Sequence, residues 1–154
     1  MKIKESLIIT AQITVIALFM LIALGSATQQ RIPTTFQRGA GGETAILLRE
    51  GLDFDMALRE IIFVLNRHGF EPEFINSDVG YIRTRWNFTW NDTGTHIEVY
   101  RVRITTNFNP ARTQLILRAE AEHRQGRGGG TWVRGFDTRA IETLRNDLTM
   151  VIGN

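Results

Sequence analysis

Between residues 81 and 123, apolar and polar side chains alternate with a period of two through three successive runs. That pattern admits little except an antiparallel sheet with one buried and one wet face. In residues 81–90 the even positions hold Ile82, Thr84, Trp86, Phe88 and Trp90, and the odd ones include Arg83, Arg85, Asn87 and Thr89. In residues 96–108 the even positions carry Tyr100, Val102, Ile104 and Phe108, with Arg101 and Arg103 between them. In residues 113–123, Leu115, Leu117, Ala119 and Ala121 alternate with Gln114, Ile116, Arg118, Glu120 and Glu122. Asn91, Asp92 and Gly94 punctuate the first junction and Asn109-Pro110 the second, both turn-forming combinations.

The flanking sequence supplies two helices and further strands. Asp53 suits an N-cap, Asp55 adds negative charge to the first turn, and Gly69 suits a stop. Between them Phe54, Ala57, Leu58, Ile61, Ile62 and Leu65 recur at three- and four-residue spacing, the stripe of a helix packed on a core. A second helix begins at Asp137 or Thr138 and carries Ile141, Leu144, Leu148 and Val151 along one face. Residues 45–48, 70–75 and 131–133 read as short strands, and the glycine-rich stretch 126–130 as a loop. The order strand, helix, four or five strands, helix predicts a two-layer α+β domain. It is an antiparallel sheet of about five strands with two helices packed on one face.

Ahead of this domain, spanning 45–154, residues 1–27 have the form of a secretory signal peptide. Lys2 and Lys4 precede an apolar stretch over residues 7–24, and Gly25-Ser26-Ala27 supplies small residues for cleavage. The competing reading is an uncleaved N-terminal anchor, since 18 residues approach the roughly 17–25 that span a bilayer. Either way the domain is exported to the periplasm or cell envelope, and membrane contact is confined to the N-terminal segment. Residues 28–44, with Pro33 and Gly39-Ala40-Gly41-Gly42, read as a flexible linker.

Charge and composition narrow the function. Without residues 1–27, 16 arginines face 15 aspartates and glutamates, a net charge of +1, whereas a nucleic-acid-binding domain carries a larger excess. The alternation in 81–90 also puts rings and arginines on opposite faces, which denies a base-stacking platform. The absence of cysteine removes a disulfide framework, a thiol nucleophile, a thiolate zinc site and a lipidated cysteine together. His68, His96 and His123 are scattered, and residues 126–130 lack the Lys-Ser/Thr of a phosphate-binding loop. No catalytic, metal or cofactor residues are assigned, and the chain reads as non-enzymatic.

Two candidate sites remain. The wet face collects Arg83, Arg85, Arg101, Arg103 and Arg118 together with Glu120 and Glu122, a surface for docking or anion binding. These residues equally suit a solvated face on which arginine and glutamate pair across strands. On the other face Trp86, Phe88 and Trp90 are expected in the core or lining a pocket between sheet and helices, the basis of an alternative reading as a small-ligand carrier.

The run Phe54-x-x-Ala57-Leu58, then Ile62-x-x-Leu65 and Gly69-Phe70, then Asp78-x-Gly80-x-Ile82-x-Thr84 resembles the helix-grip domains of bacterial envelope proteins. The C subunit of the outer-membrane β-barrel assembly machinery exemplifies them. The likeness covers residues 54–84 and consists of fold punctuation; unlike that family, this chain has no cysteine to carry a lipid. It implies a non-catalytic envelope role and nothing sharper; the leading expectation from the whole sequence is an interaction module that binds an envelope protein or polymer.

Overall fold

A computed structural model of the chain describes residues 35–92, 97–125 and 130–154. Residues 1–27, with the expected signal segment, lie outside these, as do His96 and most of the 126–130 loop. The elements, in order, are β1 (Phe36–Arg38), β2 (Glu43–Leu47), α1 (Phe54–Arg67), β3 (Pro72–Asn76) and β4 (Tyr81–Thr84). There follow β5 (Asn87–Asp92), β6 (Ile97–Phe108), β7 (Gln114–Gln125), β8 (Val133–Asp137) and α2 (Thr138–Ile152). Among the described residues the fold is α+β, with two helices and one antiparallel sheet.

Two twelve-residue strands form the spine of the sheet. β6 and β7 pair from Glu98↔Gln125 to Phe108↔Leu115, and the Asn109 Oδ1 accepts the backbone N–H groups of Thr113 and Gln114 to close their turn. β4 and β5 lie end to end along the free side of β6, with β3 beyond β4. β2 and β8 lie end to end along β7, with β1 beyond β8. The outer edge of β2 is met by the C-terminus, through a bridge between Leu48 and Gly153 and an N–H of Asn154 donated to the Leu47 carbonyl.

Both helices begin as their caps require. The Asp53 carboxylate accepts the Met56 N–H at 2.8 Å and Asp137 accepts the Ala140 N–H at 2.7 Å. Gly69 takes φ +76° behind α1, and the Phe70 N–H returns to the Leu65 carbonyl. Ala57, Leu58, Ile61, Val64 and Leu65 of α1 are buried, as are Leu144, Leu148 and Ile152 of α2. They share the core with Ile82, Ile104, Leu115, Leu117 and Ala119 of the sheet. The last turn of α1 is tied to α2 by Arg67 and His68, both bonded to Asp147, whose carboxyl they hold below the usual range.

The sheet has eight strands where about five were expected. β1 and the start of β2 fall inside the stretch 28–44 that composition marks as linker, so ordered structure begins before residue 45. The run 81–90 is divided between two strands, β4 and β5. The last strand runs from Val133 to Asp137, so it continues through Gly135. That glycine is needed because a Cβ there would strike the carbonyl oxygen of Gln37 in β1.

Candidate interaction face

Trp86 and Phe88 do not lie in the core or between sheet and helices, because the strand that carries them contains one extra residue. Four steps along this strand separate Arg83 from Asn87, but only three along β6 separate their partners Thr105 and Val102. The insertion is a β-bulge, and one residue of offset sends every later side chain to the opposite face. Thr84 makes it tolerable. Its buried hydroxyl accepts the Ile104 N–H at 3.0 Å, which would otherwise need a backbone carbonyl, and donates to the Arg85 carbonyl at 3.1 Å. The Arg85 N–H turns away to the Glu71 carbonyl.

Ile82 and Thr84 therefore face the helices, while Phe88 stands opposite Arg101 on the outer face. The expected separation of rings from arginines is overturned, and with it one ground for setting nucleic acid aside. The other ground, near neutrality, is visible in the face itself. Arg101 reaches Glu122 through Nε at 2.8 Å and through Nη2, and Arg103 reaches Glu120 through Nε at 3.0 Å and through Nη2. Arg118 pairs with Glu43, and Arg83 lies 3.5 Å from Glu73.

The rings stack on these paired guanidiniums. The ring of Trp86 lies 4.4 Å from the Arg101 guanidinium carbon and 4.5 Å from that of Arg103. Trp132 lies 4.0 Å from that of Arg101 and 4.9 Å from that of Arg124, and Phe88 lies 5.7 Å from that of Arg101. The order Arg103, Trp86, Arg101, Trp132, Arg124 is an alternating cation–π ladder running along the β6–β7 pair. Each contact is worth about 0.5–1 kcal/mol at an exposed site. Arginine serves where lysine would not, since its plane can stack on a ring while its edge donates to a carboxylate.

A groove of about 460 Å³ runs beside the ladder, with Trp86, Arg103, Glu120 and Glu122 on its floor and Gly39, Ala40 and Gly41 along one wall. The glycines form that wall because Gly41 and Gly42 rest on the Phe136 ring; a Cβ at Gly41 would lie 2.7 Å from it. The supposed linker glycines thus shape the face.

Of the five expected arginines, Arg83, Arg101, Arg103 and Arg118 share the outer face by strand register, and Arg85 sits in the bulge. The side chain of Trp90 lies outside the described residues. The missed members are Trp132, Arg124, Arg134 and Glu43. Arg124 continues the β7 alternation two residues past Glu122, and Arg134 stands opposite Glu122; both were legible once β7 and β8 were given their full lengths.

On the helix side, a second polar group is buried. Tyr100 donates to the Asp137 carboxylate, which also accepts the Thr35 hydroxyl at 3.0 Å. Burial, then the bond to Asp137, pushes the Tyr100 phenol up. His123 is 3% exposed beside the Phe36 ring, its Nε2 has no hydrogen-bond partner among the described residues, and burial holds it below the usual histidine range. Among the described residues no three His, Cys, Asp or Glu side chains converge as metal ligands, and no helix is long and apolar enough to cross a membrane. No protein-family model matches the chain, and no curated protein matches it significantly.

Proposed function

We propose that this protein is an exported, non-catalytic interaction module of the periplasm or cell envelope that binds a protein partner through the outer face of its sheet. The observation that carries this reading is the ladder. Tryptophan and arginine are the residues that dominate the energetics of protein interfaces, and here they are held rigid in advance, with little side-chain freedom left to lose on binding. The helices occupy the other face, which leaves the ladder as the patterned surface. The helix-grip likeness, with one helix before and one after the main strands of the sheet, accords with such a role and is part of the proposal.

The test is capture of envelope proteins from the native source by wild type and by the double variant Phe88→Ser, Arg118→Glu. Phe88 is 44% exposed and Arg118 is also on the surface, so the variant should keep its circular dichroism and melting temperature while losing the partner. A partner lost instead from Phe63→Ser, Met150→Ser on the helix side would refute the reading.

A further inference from the structure

One corner of the outer face is not electrically balanced, and it indicates what the partner brings. Most of the face is neutralised pair by pair, Arg103 with Glu120, Arg118 with Glu43 and Arg83 with Glu73. At the Trp132 end, among the described residues, three guanidiniums stand near a single carboxylate, and only two of them reach it. Arg101 takes Oε2 of Glu122, Arg134 lies 3.4 Å from Oε1 of the same side chain, and Arg124 has no carboxylate within ion-pair distance among the described residues. The corner follows from register. Glu122 is opposite both Arg101 and Arg134, and two residues further along β7 Arg124 meets the ring of Trp132, which precedes β8.

Resting on the proposed docking role of the face, we propose that this corner takes an acidic segment of the partner protein, its carboxylates lying between Arg124 and Arg134 against the Trp132 ring. Charge complementarity on a prepared frame favours this occupant. Trp132 holds the planes of Arg101 and Arg124; the Arg101 edge is taken by Glu122, whereas the buried Nε of Arg124 has no hydrogen-bond partner among the described residues. The Arg134 side chain is 88% exposed, with a long contact to Glu122 as its one ion pair among the described residues. Two further carboxylates bring the corner to neutrality, and a basic segment meets like charge there. A protein segment suits the site better than a bare anion because the guanidiniums are separated by an indole ring, which needs an apolar group against it.

The experiment uses the full chain in mild detergent, followed through the Trp132 indole N–H resonance. The probes are a short peptide alternating glutamate and leucine, its lysine–leucine counterpart, and inorganic phosphate. The acidic peptide should shift the Trp132 resonance saturably and weaken when salt is raised from about 0.05 to about 0.5 M. Arg134→Glu, at a surface position that leaves folding intact, should weaken it about tenfold, and Arg124→Ser should do likewise. Equal binding of the lysine peptide, saturation by phosphate alone, or an unchanged affinity in Arg134→Glu would each overturn the proposal. Capture separates this from the wider reading: a partner lost from Phe88→Ser, Arg118→Glu but kept by Arg134→Glu means the face is right and the corner wrong.

Discussion

The behaviour of single side chains here turns on what each is stacked against. Trp86 covers two guanidiniums at once, so Trp86→Ala removes two cation–π contacts and should cost about 1–2 kcal/mol in urea unfolding. A double-mutant cycle with Arg103→Ala would show the coupling, and additive effects would mean that the contact contributes nothing. His123 makes the opposite kind of contribution. It is buried neutral near Phe36, with the Glu98 carboxylate favouring its protonation and Arg38 opposing it, and burial the largest influence. Its pKa in the folded state lies below its unfolded value, so the unfolded chain binds the proton more readily. Stability is full above about pH 6.5 and falls as the pH drops below it. The melting temperature of wild type should therefore decline from pH 7 toward pH 5 more steeply than that of His123→Phe; parallel curves would contradict the assignment. The alternation of Leu115, Leu117, Ala119 and Ala121 puts His123 next on the inner face, but the ring that covers it there is Phe36 in β1, far away in the chain.

At the scale of elements, alternation located β6 and β7 and their faces correctly, since neither strand is interrupted along its twelve residues. It failed in 81–90, where Thr84, Arg85 and Trp86 are all acceptable strand residues and none announces a bulge. The feature that makes the bulge possible is a single hydroxyl, that of Thr84, substituting for a backbone acceptor. Thr84→Val keeps the shape and deletes the acceptor, leaving the Ile104 N–H buried and unmet. The expected loss is about 1–3 kcal/mol, read from the denaturant midpoint. The same change should loosen β5 and reduce the protection of its amides from hydrogen exchange, whereas protection in β7 should persist. The helices were legible because their caps and apolar stripes are local. β1 was not, since three residues beside a run of glycines carry too little pattern to stand out from a linker.

For the molecule as a whole, the two layers divide the work. Helices and the inner sheet face make the core, and the bulge turns the rings of one strand outward to meet the arginines of the next. Of the five arginines read from the sequence, four share the outer face by register and are paired there with glutamates; among the described residues the excess charge lies at Arg124 and Arg134, which that reading missed. The central claim, that the outer face is the docking surface, is tested most directly by photocrosslinking in living cells. A photoreactive residue is placed singly at Arg118 or Arg134 on the outer face, and at Phe63 or Met150, 61% and 73% exposed, on the helical layer. A discrete heavier adduct is expected from the two outer-face positions and none from the helical ones. Adducts from Phe63 or Met150, with none from Arg118 or Arg134, would contradict it.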